Sequence, residues 1–166
     1  MANSARVVIG WREWVALPDL GLPAIKAKVD TGARTSALHA IGIETFKRGG
    51  KLFARFRIRP LKNRPSITVV CEAPVVDRRI VTDSSGHSER RYVIESHLKI
   101  GTMLIKSEIT LANRRNMSHR MLIGRSAMRH VVIDPTNIFL LGRPEKIAGQ
   151  YKRTERKRSV KNRGKA

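Results

Sequence analysis

The sequence predicts a single all-β domain with one short helix. Two observations support this fold class: apolar and polar residues alternate with a period of two in several short segments, and glycine or proline turns separate these segments. The clearest alternation lies between Ile25 and Val29, where Lys26 and Lys28 separate the apolar residues. At 166 residues, the chain is long enough to bury a hydrophobic core without stabilising disulfides or metal ions.

The N-terminal part is predicted to be a series of short strands. Val7–Gly10 and Trp11–Leu17 are strands, and Pro18–Gly21 is the turn that follows them. The next strand ends immediately before Asp30, which therefore lies in a loop. A further strand begins at Ala37–Ala40.

Two hairpins are predicted in the middle of the chain. In the first, residues 41–46 and 52–59 flank a Gly49-Gly50 turn. Its polar side carries Arg55, Arg57 and Arg59, for which a solvated sheet face is slightly preferred over an anion-binding stripe. The second hairpin comprises residues 78–94, with a polar tip around Gly86.

A strand at Ser66–Cys71 separates the two hairpins and contains the only cysteine, so an internal disulfide is excluded. No second thiol or histidine pattern accompanies Cys71, and we interpret it as a buried small apolar residue rather than a nucleophile.

The C-terminal half continues the strand pattern. His97–Ile105 and Ser107–Ala112 are predicted strands, and Asn113–Met117 is a loop. Met121–Ile123 is predicted to be a buried strand beside the Asp30 loop.

The residues after this strand form a second motif. Gly124 would permit close backbone approach, and Arg125 would either tie down the neighbouring loop or cap the turn. A short helix at Ser126–Arg129 and strands at Val131–Pro135 and Ile138–Leu141 complete the domain.

The chain is strongly basic, with 34 Lys and Arg against 13 Asp and Glu and a net charge of +21. Such an excess attracts polyanions without specifying which kind. Residues 143–166 hold ten basic and two acidic residues and lack a core-facing pattern. We therefore expect a domain at residues 1–142 and a disordered basic tail at 143–166, for which contact with RNA or the ribosome and a solubilising role are both open.

The first residues lack the basic cluster, apolar core and cleavage site of a signal peptide. No segment approaches the roughly 20 apolar residues of a membrane span. The sequence therefore predicts a cytoplasmic protein without membrane association.

Two short motifs carry a family resemblance, Asp30-Thr31-Gly32-Ala33 near the start and an apolar run ending in Gly124-Arg125 near the end. In this order they resemble the paired signatures of retropepsin-like aspartic proteases. Over roughly Val8 to Gly142, the chain is similar to the bacterial group that has been called ATP-dependent zinc proteases, retropepsin-like proteins associated with ATP-grasp peptide ligases. Further residues of this resemblance are Lys28–Ala40, Ser84–Gly86, Glu89–Val93, Leu111–Arg114, Met117 and Met121–Arg125.

The resemblance implies a closed β-barrel and a homodimer in which each subunit contributes one catalytic Asp30. It assigns support of the active-site loop to Thr31, Gly32, Ala33, Ser36, Gly124 and Arg125. The second hairpin corresponds to the flap that covers the substrate, and its candidate substrate residues are Ser84, Ser85, Gly86, Arg90 and Arg91. Asp134 is interpreted as a turn residue, because Asp-Pro-Thr lacks the glycine that would expose a carboxyl group.

No cofactor or metal is predicted. The sequence has no His-Glu-x-x-His motif, its five histidines are scattered, and no cysteine pair exists. It also lacks a glycine-rich phosphate loop, so any ATP dependence would belong to a partner ligase.

Three hypotheses follow for the function. The first is an aspartic endopeptidase that cuts acidic peptides, for example amino-acid tails that an ATP-grasp ligase adds to a ribosomal protein, with Arg78, Arg79, Arg90 and Arg91 facing the substrate. The alternative is a non-catalytic adaptor that binds a ligase, the ribosome or RNA. A nucleic-acid-binding β-barrel is the third, although aromatic residues for stacking platforms are few, with Phe53, Phe56 and Tyr92 among them.

Overall fold

A computed structural model describes residues 5–113 and 118–164 of the chain. These residues form eleven strands and one α-helix: β1 Val7–Gly10, β2 Arg12–Leu17, β3 Leu22–Val29, β4 Ser36–His39, β5 Ile41–Arg48, β6 Lys51–Ile58, β7 Val69–Thr82, β8 Ser88–Ile100, β9 Met103–Ala112, β10 Met121–Ile123, β11 Val131–Asp134 and α1 Ile147–Arg163. Strands β1 and β11 form a parallel pair. The other nine form one sheet in the order β2-β3-β10-β4-β9-β8-β7-β6-β5. The predicted all-β class is confirmed.

The large sheet closes on itself around the hydrophobic core. Ala16 of β2 pairs with Lys99 of β8, so strands β2, β3, β10, β4, β9 and β8 form a ring. The fully buried side chains include Ile25, Leu38 and Leu98. Their burial is the dominant favourable contribution to the stability of the ring.

The period-two patterns correctly identified the strands that matter for the site. In β3 the apolar residues from Ile25 to Val29 are buried, while Lys26 and Lys28 between them are exposed. The Gly49-Gly50 turn joins β5 to β6 as predicted, and both glycines have positive φ angles of 56° and 74°. The second hairpin is formed by β7 and β8, which are 14 and 13 residues long.

The arginine face of the first hairpin is exposed but partly neutralised. Arg55 forms an ion pair of 2.8 Å with Glu72 on β7, and Arg48 contacts the same carboxylate at 3.0 Å. This arrangement agrees with the preferred interpretation of a solvated sheet face.

Cys71 is fully buried, and burial raises the pKa of its thiol to about 12. Its interpretation as a buried small apolar residue is confirmed, and a raised pKa of this kind disfavours the reactive thiolate at neutral pH.

The strand predicted at Ile138–Leu141 is wrong. The backbone N–H groups of Leu140 and Leu141 donate to the buried carboxylate of Glu13, at 2.8 and 3.4 Å. Glu13 also accepts a hydrogen bond of 2.8 Å from the N–H of Gly10. Because a buried side chain satisfies these donors, the segment needs no neighbouring strand, and Phe139 within it adopts a positive φ of 54°.

The helix predicted at Ser126–Arg129 is a single 3-10 turn at Arg125–Ala127. The strand predicted at Val131–Pro135 is present as β11. In the predicted loop Asn113–Met117, residues 114–117 lie outside the described part of the chain.

The prediction of a disordered tail is wrong for Ile147–Arg163, which form α1. Tyr151 is only 2% exposed and its hydroxyl donates to the carbonyl oxygen of Ala24 on β3. Further along the helix, Arg158 donates to the carbonyl oxygen of Val70 at 3.0 Å. One aromatic anchor and one arginine therefore hold an otherwise polar helix against the sheet, and residues 165–166 lie outside the described part.

No helix among the described residues is long and apolar enough to cross a membrane.

Replacement of Tyr151 by alanine tests how α1 is held. We expect Tyr151→Ala to lower the free energy of unfolding by about 3 kcal/mol, because it removes a buried aromatic side chain and leaves a cavity. Urea denaturation followed by circular dichroism measures this change. The control is Val160→Ala on the same helix, whose side chain is 70% exposed and whose loss should cost less than about 0.5 kcal/mol. Equal stability of the two variants would contradict the docking of α1 through Tyr151.

Candidate active site

Asp30 lies at the end of β3, in a loop that the parallel neighbour β10 holds in position. Ile123 of β10 pairs with Val29, and the N–H of Asp30 donates to the carbonyl oxygen of Ile123 at 2.9 Å. Within the loop, the Oδ1 atom of Asp30 accepts a hydrogen bond of 3.0 Å from the N–H of Gly32. This hydrogen bond within the short turn sets the direction of the carboxylate.

Arg125 ties down this loop from the other side. Its guanidinium donates to the carbonyl oxygen of Thr31 at 2.9 Å, and its backbone N–H donates to the carbonyl oxygen of Ala33 at 2.9 Å. Ser126 adds a bond of 3.0 Å from its N–H to the carbonyl oxygen of Arg34. Of the two roles expected for Arg125, the structure supports loop bracing.

Gly124 allows the two segments to approach. A Cβ atom on Gly124 would lie 2.4 Å from the carbonyl carbon of Thr35 and 2.7 Å from the nitrogen of Ser36. The N–H of Gly124 donates to the buried hydroxyl of Ser36 at 3.0 Å. Any larger residue at position 124 would push the β10 turn away from the Asp30 loop.

A cavity of about 1160 Å³, here called the Asp30 cavity, opens over this loop. Its floor contains Asp30, Thr31, Gly32 and Ala33, and its wall includes residues 79–84 of the second hairpin. Ile80 is 67% exposed and lines this cavity, so it offers an apolar surface to a bound chain. The hairpin and the Asp30 loop therefore line the same cavity, which the predicted flap requires.

The tip of this hairpin is held together by Asp83. Its carboxylate accepts hydrogen bonds from the N–H and hydroxyl of Ser85, at 2.9 and 2.6 Å, and from the N–H of His87 at 3.0 Å. The bond from the Ser85 hydroxyl and these other donors keep the pKa of Asp83 below its ordinary value.

The structure brings only some of the predicted flap residues to the cavity. Ser84 and Arg91 line it, whereas Ser85, Gly86 and Arg90 do not. Arg91 is only 7% exposed and pairs with Glu89. Its cross-strand neighbour Arg79 also lines the cavity and pairs with Asp77 at 2.6 Å and Glu108 at 2.8 Å. Both cavity-lining flap arginines are thus already neutralised.

Arg78 lies outside the cavity lining and stacks over the Tyr92 ring at 5.0 Å. The loop-support residues Ser36, Gly124 and Arg125 also lie outside the lining, in agreement with a bracing role rather than contact with substrate.

Sequence reasoning missed two basic residues of this cavity. Lys28 and His119 both line it. Lys28 could have been found from the alternation of β3, since it shares a face with Asp30 two residues later. His119 is distant in sequence and had no such signal.

Asp134 is a turn residue, as interpreted from the sequence. Its carboxylate accepts hydrogen bonds from the hydroxyl and N–H of Thr136 and from the side-chain amide of Asn137, at 2.6 to 2.9 Å. These donors lower its pKa to about 2. Across the part of the chain that the structure describes, no three or more His, Cys, Asp or Glu side chains are grouped to hold a metal ion.

Two curated relatives are similar to most of the chain. A probable alpha-L-glutamate ligase of Shewanella pealeana is 48% identical over 138 residues, which cover 82% of this chain and 30% of the relative. One of Desulfotalea psychrophila is 46% identical over 143 residues, covering 86% of this chain and 31% of the relative. The chain therefore spans about a third of the length of the relatives that it matches.

A solved structure has a similar fold. A protein of unknown function from Legionella pneumophila, Lpg0085, superposes with a TM-score of 0.68 at 26% identity, covering 81% of this chain and 98% of that one.

One family model matches a region that contains both the Asp30 loop and the turn of Gly124 and Arg125. The family model described as retropepsin-like aspartic endopeptidase RimB matches residues 8–144, which is most of the chain and contains every strand described above except part of β1. This protein belongs to the RimB-like family of retropepsin-like proteins.

Proposed function

We propose that this protein is an aspartic endopeptidase that works as a homodimer, with one Asp30 carboxyl group from each subunit. The single observation that carries this proposal is the Asp30 loop: Gly32 orients its carboxylate, Arg125 braces its backbone, and the hairpin of β7 and β8 lines the same cavity.

The chemistry requires two carboxyl groups close together. Two such groups share one proton, because like charges at short distance do not both ionise readily. The ionised group then acts as general base toward water, and the protonated group acts as general acid toward the peptide carbonyl. The sequence contains one Asp-Thr-Gly motif, so the second carboxyl group comes from a second copy of the chain. Thr31, which is exposed, would brace the pair across the two-fold axis.

The sheet of β1 and β11 is the surface on which we place the second copy. Val8 and Val132 are paired across it, and their side chains are 50% and 45% exposed. Among the described strands, these two pair only with each other, which leaves their outer edges open. The sheet also lies near the site, because Trp11, directly after β1, accepts a hydrogen bond of 2.9 Å from Val29.

An acidic peptide is the proposed substrate. The protein carries a net charge of +21. Its curated relatives are longer polypeptides that are named probable alpha-L-glutamate ligases, and the segment similar to this chain is about a third of each. A peptidase domain joined to a glutamate ligase would have that ligase's product as its nearest substrate. We therefore propose that the enzyme trims glutamate tails that an ATP-grasp ligase adds to a cytoplasmic protein, such as a ribosomal one.

The net charge also favours a second candidate, a non-catalytic adaptor that binds a ligase, the ribosome or RNA. This adaptor would keep its binding when Asp30 is neutralised and would cut no peptide. The following substitution separates the two candidates.

Asp30→Asn should abolish peptide cleavage, with a loss of about a thousandfold or more. An asparagine oxygen still accepts the hydrogen bond from Gly32, so the loop is retained while the acid–base group is lost. Cleavage of a glutamate-extended peptide, followed by mass spectrometry, measures the effect. The matched control is Asp19→Asn, which makes the same change outside the Asp30 cavity and away from the sheet of β1 and β11, and should keep its activity. If Asp30→Asn cuts as fast as the wild type, Asp30 is not catalytic.

The subunit interface gives a separate prediction. Val8→Asp should weaken the dimer at least about tenfold, because it introduces a charge on the apolar sheet of β1 and β11, and activity should fall with the dimer fraction. Sedimentation equilibrium over a range of concentrations measures the dissociation constant. Val160→Asp makes the same change on an exposed part of α1 and should leave the dimer intact. A dimer that survives Val8→Asp would rule out this sheet as the interface.

A further inference from the structure

A second cavity, here called the basic cavity, has a volume of about 900 Å³ and lies between β2, β3, the loop at residues 60–64, residues 118–120 and the start of α1. Its described lining contains no Asp or Glu and seven Lys or Arg residues: Arg12, Lys26, Lys62, Arg64, Arg120, Arg143 and Lys146. Like charges around one concave surface repel each other, and a bound anion would offset this repulsion.

Three lining residues hold polar atoms that lack a partner. Arg12 Nε, Trp14 Nε1 and Arg120 Nε are the buried side-chain nitrogen or oxygen atoms of the described chain without a hydrogen-bond partner. Trp14 is only 8% exposed. Buried donors are nearly always paired in native proteins, and the concentration of all three around one cavity points to acceptor oxygens of a ligand.

The start of α1 adds further donors. Ile147, Ala148 and Gly149 line the cavity, and no side chain caps this end of the helix. The first turn also contains no acidic residue. The free backbone N–H groups and the positive end of the helix dipole are therefore available to an anion.

The cationic groups in and beside the cavity influence one another. Burial, followed by the charges of Arg12, Arg143 and Lys62, lowers the pKa of Lys26. Burial and the charge of Arg12 also lower the pKa of His119. None of the basic side chains of this cavity forms an ion pair with a carboxylate of the described residues, in contrast to Arg79 and Arg91 in the Asp30 cavity.

The basic cavity adjoins the Asp30 cavity. Ser118 and His119 line both. On the exposed face of β3, Lys28 lines the Asp30 cavity and Lys26 lines the basic cavity. Four residues of a strand span about 13 Å, so an extended peptide cut at Asp30 would reach Lys26 with a residue about four positions from the scissile bond.

We propose that the basic cavity is an exosite that binds the side-chain carboxylates of an acidic polypeptide, outside the segment that is cut at Asp30. This inference rests on the proposed function and identifies where that enzyme recognises its substrate. The adjacency of the two cavities favours an extended acidic chain over a compact phosphate ligand, because the linings share Ser118 and His119, and Lys26 and Lys28 lie on the same face of β3.

Direct binding tests the exosite without requiring catalysis. Fluorescently labelled decaglutamate is titrated with the full-length Asp30→Asn protein, and its anisotropy is measured. In this background, Lys62→Glu combined with Arg143→Glu should weaken binding at least about tenfold, because both side chains are exposed and line the cavity. The control combines Lys47→Glu with Lys51→Glu on the exposed β5–β6 hairpin, which changes the net charge equally and should weaken binding less than about threefold. Thermal melting verifies that all variants fold.

Equal weakening by the two pairs would mean that only net charge attracts the peptide, and the exosite would be wrong. It would also be wrong if neither pair weakened binding. Single-stranded RNA and tripolyphosphate are added as competitors, and displacement at concentrations far below those of unlabelled decaglutamate would identify a phosphate site instead.

Kinetics separate this inference from the proposed function. With Asp30 intact, Lys62→Glu combined with Arg143→Glu should raise KM for a peptide with glutamates beyond the cleft and leave kcat unchanged. The same peptide with glutamines at those positions should be cut equally by both proteins. Cavity-dependent binding without any cleavage would support the exosite and refute the peptidase. Cleavage with an unaltered KM for the glutamate peptide would support the peptidase and refute the exosite.

Discussion

The site depends on one contact, the close backbone approach between the turn after β10 and the loop after β3. Parallel pairing of β3 and β10 brings their ends together, and the absence of a side chain at Gly124 lets the second segment reach Thr35 and Ser36. Arg125 then reaches the carbonyl oxygen of Thr31 from the same turn. The backbone of the Asp30 loop is thus held in place by a segment that lies about ninety residues later in the sequence.

Charge is distributed unevenly between the two cavities. Arg79 and Arg91, which line the Asp30 cavity, are paired with Asp77, Glu89 and Glu108, and Lys28 and Arg34 add further positive charge to this cavity. The neighbouring basic cavity is lined by seven Lys or Arg residues and, within the part of the chain that the structure describes, by no carboxylate.

Two segments were interpreted incorrectly from the sequence for the same physical reason. Ile138–Leu141 look like a strand, but their backbone donors bond to the buried Glu13, which lies more than 120 residues earlier. The basic segment around α1 looks disordered, but Tyr151 inserts into the fold and donates to Ala24. In both cases one long-range side-chain contact, rather than local composition, determines the conformation of the segment. No local sequence pattern indicates such a contact.

The sequence by itself determined the all-β class, most strands, the two hairpins and the two motifs that form the Asp30 loop and its brace, because these depend on period-two alternation, turn residues and short motifs that are local in the chain. Only the tertiary structure decided that Arg79 and Arg91 are paired with carboxylates, that Lys26 and Lys28 line two neighbouring cavities, and that the buried donors of Arg12, Trp14 and Arg120 lack partners. Whether a charged or polar group is paired depends on atoms that meet through folding from distant parts of the chain, and residue order alone does not contain those distances.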